Sequence, residues 1–184
     1  IILYKIHNNG IIAASRNMGI MKAKGELLAF LDSDDWWVEN KLQSSVNKIN
    51  SGADLVYHDL IISSKLNESS LFYKTFMTNK FIKTRQVEFP VFEDLLYFGN
   101  AITTSSVVVK KDKLKLVGGF SENESLISGE DYDLWLRISK NSDCKFERIC
   151  QPLGYYWSGE ENTTSADGTI KTIERIPITS KTQI

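Results

Sequence analysis

Gly25-Glu26-Leu27-Leu28-Ala29-Phe30-Leu31-Asp32-Ser33-Asp34-Asp35-Trp36-Trp37 starts apolar and turns sharply acidic. Leu27 to Leu31 is an unbroken apolar run of strand length, which suits a strand over residues 26–31 buried on both faces. Asp32, Asp34 and Asp35 follow at once. A buried strand that stops at an acidic cluster delivers charge to the rim of its sheet, and open α/β sheets bind ligands at the carboxyl ends of their strands. Mg²⁺ commonly takes one or two carboxylates together with substrate phosphates, so Asp32-x-Asp34 reads as a metal–diphosphate site. A plainer reading stands beside it. Asp35 caps a helix that starts near Trp36, and Asp32 and Asp34 are turn residues.

Upstream, Ile11, Ala14, Met18 and Met21 fall at helical spacing, which predicts a helix over residues 11–24 with Gly25 as its C-cap. Arg16 and Asn17 ride on it. Residues 2–6 read as a strand that ends in the turn His7-Asn8-Asn9-Gly10. Downstream, Val38, Leu42, Val46 and Ile49 form one stripe of a helix over residues 37–50, and Ser51-Gly52 stops it. A strand follows over residues 53–63. Strand, helix, strand, helix, strand indicates an α/β sheet that is at least partly parallel. Residues 64–87 are polar and loosely patterned and read as an excursion. Pro90 opens a short helix over residues 91–98. A β-branched strand over 104–110 and a helix over 111–117 come next, then a polar loop over 121–129. Tyr132, Trp135, Leu136 and Ile138 mark a buried helix led by Glu130 and Asp131. Short strands are expected at 146–150 and 153–157.

The chain has 184 residues, 42% of them hydrophobic, enough for one real core. The net charge of −1 gives no bias toward nucleic acid or an anionic surface. Cys144 and Cys150 show no zinc spacing and read as reduced thiols of a cytosolic protein. No apolar run approaches the ~20 residues of a transmembrane helix, and the opening residues lack the pattern of a signal peptide. His7 and His58 are isolated and read as structural.

Taken in order, these motifs resemble the family-two glycosyltransferases of the GT-A fold. Ala14-Ser15-Arg16-Asn17-Met18-Gly19, Ala23-Lys24-Gly25-Glu26 and Phe30-Leu31-Asp32-Ser33-Asp34-Asp35 follow one another at the family's spacing. Gly118-Gly119-Phe120, then Gly129-Glu130-Asp131-Tyr132-Asp133-Leu134-Trp135-Leu136-Arg137, resembles the acceptor-side segment with its Glu-Asp pair. Pro152-Leu153-Gly154-Tyr155-Tyr156-Trp157 resembles the strand that usually comes next. The resemblance implies a Rossmann-like, mixed and mostly parallel sheet flanked by helices, in one domain over residues 1–165 with a tail at 166–184. It also implies entry at the family's third strand, because the opening strand, helix and second strand that hold base and ribose have no counterpart in this sequence. A sheet without those strands exposes an edge, which invites self-association or a partner chain.

The chemistry implied is transfer of a sugar from a nucleotide-diphosphate donor to a hydroxyl of a carbohydrate or lipid-linked acceptor, with inversion, in polysaccharide biosynthesis. Mg²⁺ or Mn²⁺ would sit on Asp34, with Asp32 as second ligand or as partner to donor hydroxyls. Asp131 is the implied general base and Glu130 the second candidate; their alternative is a pair of helix N-terminal acids. Arg16 and Asn17 resemble donor-side residues near the phosphates, a solvated surface cation being the alternative for Arg16. Asp133 and Arg137 read as structural. Trp36 and Trp37 are either a sugar platform or core. Acceptor recognition is expected within residues 64–106. A cytoplasmic site is expected, at most peripheral to the inner membrane face through the lysines of residues 110–115. The competing reading is a non-catalytic fragment that serves as a binding or interaction module.

Overall fold

A computed structural model describes residues 1–63, 81–141 and 143–158. The elements run α1 (Ile12–Lys22), β1 (Leu27–Ala29), β2 (Trp36–Trp37), α2 (Lys41–Asn50), β3 (Leu55–Ser63), β4 (Phe81–Ile82), α3 (Val91–Phe98), β5 (Val108–Lys110), α4 (Lys111–Leu116), α5 (Glu130–Asn141) and β6 (Phe146–Trp157). Two short 3₁₀ turns, Thr104–Ser106 and Glu124–Leu126, precede β5 and α5. The strands form one sheet in the order β1-β5-β3-β6-β2, and β4 adds to the far end of β3.

The sheet is mixed, as expected, but it is not mostly parallel. Among the described residues only β3 and β6 run parallel; the pairs β1–β5, β2–β6, β3–β4 and β3–β5 are antiparallel. β6 is a single strand where the sequence pattern suggests two. Its register against β3 shifts on either side of Asp59, and the ladder then continues to the pair Ser63 and Trp157. A bulge at Cys150-Gln151 absorbs what looks like a strand break in the sequence, and Pro152 pairs with Asp59.

Alternation along the central strands builds two cores. Leu55 and Tyr57 of β3 and Val109 of β5 face one side with Val107, Leu95, Leu114, Phe120, Trp135 and Ile138, so α1, α3, α4 and α5 cover that face. Val56 and Val108 face the other side with Ile49 and Ala53, under α2. Trp135 is fully buried, and its loss would cost about 3–5 kcal/mol.

Five local expectations change. Residues 2–6 form no strand: Ile1, Ile2 and Leu3 are exposed, and a strand needs a ladder partner that no described residue supplies. β1 is a three-residue edge strand, not one buried on both faces, because its sole neighbour among the described residues is β5. The helix expected from residue 37 begins at Lys41, since Trp36 and Trp37 pair with Tyr155 and Gly154 of β6. The buried face of α2 is Lys41, Ser45 and Ile49, while Leu42 of the expected stripe is about half exposed. The C-cap of α1 is Ala23, whose N–H reaches the Gly19 carbonyl, not Gly25.

The remaining minor assignments resolve simply. His58 is buried, its Nδ1 against the Asp59 carbonyl, and burial pushes its pKa down to about 4. Cys144 and Cys150 are both free thiols. Lys110 and Lys113 pair with Asp54. Arg137 is held by Asp133 one turn earlier and by the Val117 carbonyl, a structural role. No helix among the described residues is long and apolar enough to cross a membrane. The tail at 166–184 and most of the excursion, residues 64–80, lie outside the described residues.

Candidate functional site

Arg16 is placed by the packing of α1. Ala13 and Ile20 are buried, and positions 13, 16/17 and 20 share one helical face. Its guanidinium therefore leaves the helix on the core side, with its carbon 5.3 Å from the centroid of the Phe120 ring. One nitrogen donates to Asp32 Oδ1 at 2.8 Å and the other to Glu130 Oε1 at 2.6 Å. Burial acts to lower the Arg16 pKa, but the charges of Asp32, Glu130 and Asp131 outweigh it, and the net shift is upward. Arg16 is thus a fixed cation that ties the acidic turn after β1 to the start of α5, 114 residues away.

The acidic turn is held from below. Asp32 N–H donates to Ser105 Oγ at 3.0 Å, and Trp37 Nε1 donates to the Ser105 carbonyl at 2.7 Å. Asp35 is buried and points away from the turn's open side. Its Oδ1 accepts the N–H of Trp157 at 2.9 Å, so it tethers β6 and does not cap α2. Burial pushes its pKa up. Asp32 and Asp34 remain turned to the open side. Trp36 stacks on Tyr155 at 5.1 Å with an interplanar angle of 14°, which assigns both tryptophans to packing.

Ser128 at φ 70° and Gly129 lead into α5, whose first turn carries Glu130, Asp131 and Asp133. Glu130 is buried and committed to Arg16. Asp131 accepts from its neighbour's N–H, at Tyr132, through Oδ1 (2.7 Å) and from Thr104 Oγ1 through Oδ2 (3.2 Å). Burial, then the adjacent Glu130 charge, pushes its pKa up to about 6. That places a carboxylate near the neutral range where general bases operate.

These parts line one cleft of about 760 Å³, within the range of ligand sites. Arg16, Asp32, Asp34, Glu130 and Asp131 all border it. Asn17 does not. Its amide clamps the glycine turn after α4 by donating to Phe120 O at 2.9 Å and accepting Phe120 N–H at 2.8 Å. Among the described residues no three His, Cys, Asp or Glu side chains group as a metal cage. Asp32 and Asp34 are instead an open carboxylate pair, the donor set that suits a hard cation retaining waters and phosphate oxygens.

The site also contains residues that sequence reasoning missed. Ser105 props the acidic turn and Thr104 touches Asp131. Lys83, Arg85, Phe98 and Asn100 also line the cleft. The run Thr103-Thr104-Ser105-Ser106 before an apolar strand was the available cue, since consecutive buried hydroxyls need specific partners.

Comparison with known proteins follows the same outline. The family described as Glycosyltransferase like family 2 matches residues 6–159. The amylovoran biosynthesis glycosyltransferase AmsB of Erwinia amylovora is 32% identical over 146 residues, 78% of this chain and 46% of that protein. An uncharacterized glycosyltransferase of Methanocaldococcus jannaschii is 29% identical over 151 residues, covering 81% and 48%. The Escherichia coli UDP-Glc:alpha-D-GlcNAc-diphosphoundecaprenol beta-1,3-glucosyltransferase WfgD is 28% identical over 132 residues, covering 71% and 45%. The chain spans about half the length of the curated relatives it matches. Among solved structures, S. aureus TarS 1-349 superimposes with a TM-score of 0.59 at 18% identity, over 84% of this chain and 42% of that one, which supports the fold.

Proposed function

The chain belongs to glycosyltransferase-like family 2, and we propose that its cleft carries out inverting sugar transfer from a nucleotide-diphosphate sugar to an acceptor hydroxyl. One observation carries the reading. Arg16 joins Asp32 of the acidic turn to Glu130, which places Asp131, a carboxylate with a raised pKa, in the same cleft as Asp34.

The roles follow from charge. Asp131 takes the proton of the acceptor hydroxyl. The oxygen attacks the anomeric carbon from the face opposite the diphosphate, and the electron pair of the breaking bond leaves with the diphosphate. Arg16 bridges Asp32 and Glu130, so its single positive charge lowers the negative potential that the cleft's carboxylates present to the diphosphate. Glu130 serves by orienting Arg16 and is not the base. When bound to Asp34 and Asp32, Mg²⁺ or Mn²⁺ supplies Lewis-acid stabilisation of the departing charge. Asn17 acts on this site only through the glycine turn. A nucleotide-sugar donor puts the reaction in the cytoplasm, and a glycan or lipid-linked glycan is the acceptor class.

The test is turnover of a nucleotide-sugar panel by the purified chain with Mg²⁺ or Mn²⁺. Donor consumption that disappears in Asp131→Asn and in Asp34→Asn supports the roles. Equal consumption by either variant removes the role assigned to that residue. Donor binding with no turnover under any condition favours the binding-module alternative.

A further inference from the structure

We infer that Phe98, braced by Arg85 and flanked by Asn100, is the platform on which the acceptor's sugar ring lies. The inference rests on the transfer reading and names the acceptor subsite within that cleft.

The cleft's lining mixes two chemistries. Its acids come from the acidic turn and the start of α5, whereas Phe98, Arg85, Lys83 and Asn100, from the segments after β4 and at the end of α3, bring an aromatic ring, two cations and an amide. Phe98 is 74% exposed although it is a large aromatic at the end of a packed helix. An exposed aromatic inside a cleft offers an apolar face to a ligand. A pyranose has an apolar C–H face of matching size, and its hydroxyls require polar partners at the ring edge.

The platform is rigid. The Arg85 guanidinium carbon stands 5.5 Å from the Phe98 ring centroid. Arg85 is itself fixed by Asp94 and by the carbonyls of Asp94 and Gly99. Gly99, at φ 78°, turns the chain immediately after Phe98. Asn100 Oδ1 accepts Ile102 N–H at 3.0 Å, which leaves its amide hydrogens as donors at the cleft wall.

The platform is also registered to the base. Tyr132 Oη donates to the Leu95 carbonyl at 2.6 Å, so α3, which ends in Phe98, is pinned to the helix turn that carries Asp131. A ring held on Phe98 is thereby kept in a fixed relation to the carboxylate that must receive its hydroxyl proton.

The experiment uses the full chain and a panel of methyl glycosides of hexoses and N-acetylhexosamines, with binding read by saturation-transfer NMR and UDP and GDP binding read alongside. The expected result is glycoside binding that weakens about tenfold in Phe98→Ala, about 1.4 kcal/mol, and is retained in Phe98→Trp. Nucleotide affinity and Tm stay unchanged, because the side chain is exposed. In Phe98→Trp the indole fluorescence shifts as the glycoside binds. Glycoside binding equal in Phe98→Ala overturns the inference, and so does a wild-type chain that binds nucleotide but no glycoside. Absence of nucleotide binding with intact, Phe98-dependent glycoside binding refutes the transfer reading and leaves the platform standing.

Discussion

Replacing Lys41 with methionine should make the protein more stable. Lys41 is 0% exposed, at the buried face of α2. Among the described residues its ammonium has one acceptor, the Val107 carbonyl at 3.4 Å, and lies 3.8 Å from the centroid of the Trp37 ring. Burial lowers its pKa from 10.5 to about 7. At about 1.4 kcal/mol per pH unit, that displacement corresponds to about 5 kcal/mol of penalty for folding the charged form. Contact with the Trp37 face returns up to about 2 kcal/mol, so Lys41→Met should gain about 2–4 kcal/mol at pH 7, with its sulfur taking the place over the ring. The pH dependence is a second signature. Between pH 7 and 10.5 the unfolded chain holds the Lys41 proton and the folded chain has released it, so this group makes stability rise with pH. The penalty is full at and below pH 7 and is relieved toward 10.5. Urea unfolding followed by tryptophan fluorescence at pH 7 and 9.5 measures both effects. The variant should show a higher midpoint at pH 7, and its advantage should shrink at pH 9.5. A variant less stable by 2 kcal/mol or more, or an advantage independent of pH, would refute the argument that the ammonium is buried at a cost.

Other consequences are equally direct. Transfer should fall as pH drops through about 6, where Asp131 takes up a proton, and the fall is read from initial rates at saturating donor. Because the folded pKa of Asp131 lies above the usual 3.8, its contribution to stability is full below 3.8 and is lost as pH rises through about 6. Asp131→Asn should therefore gain about 1–3 kcal/mol in urea unfolding at pH 7 while losing transfer. Gly119→Ala should cost about 2–4 kcal/mol, since φ is 78° and the new Cβ would stand 2.6 Å from Asn17 Oδ1, the acceptor of Phe120 N–H. Gly118→Ala, at φ 75° with no atom within 4 Å, should cost only about 1 kcal/mol. Equal losses at the two glycines would show that Asn17 is not a clamp.

The helices α1, α3 and α5 were legible because their apolar spacing, Pro90 and the Glu130-Asp131 start are local signals. Arg16, Asp32, Asp34, Glu130 and Asp131 were legible as motifs, yet nothing in the sequence states that Arg16 bridges two of them. What the sequence hid is set by distant partners. Trp36-Trp37 reads as the start of a helix until β6 offers Tyr155 and Gly154 as ladder partners. Asp35 reads as a cap until the N–H of Trp157, 122 residues away, claims it. The stripe Val38, Leu42, Val46 misled because α2 turns Lys41 and Ser45 inward, where the polar Lys41 end reaches a β5-side carbonyl and an indole face. Residues 26–31 looked doubly buried because an apolar run does not reveal that its strand lies at the sheet's edge.

Calorimetric titration of UDP and GDP into the chain with Mn²⁺, for the wild type, Asp34→Asn and Asp131→Asn, tests the divided cleft most directly because it needs no acceptor. The expected result is a Mn²⁺-dependent affinity that drops at least about tenfold in Asp34→Asn and is unchanged in Asp131→Asn. Equal affinity in wild type and Asp34→Asn, or binding indifferent to Mn²⁺, would contradict the assignment of the acidic turn to the donor diphosphate.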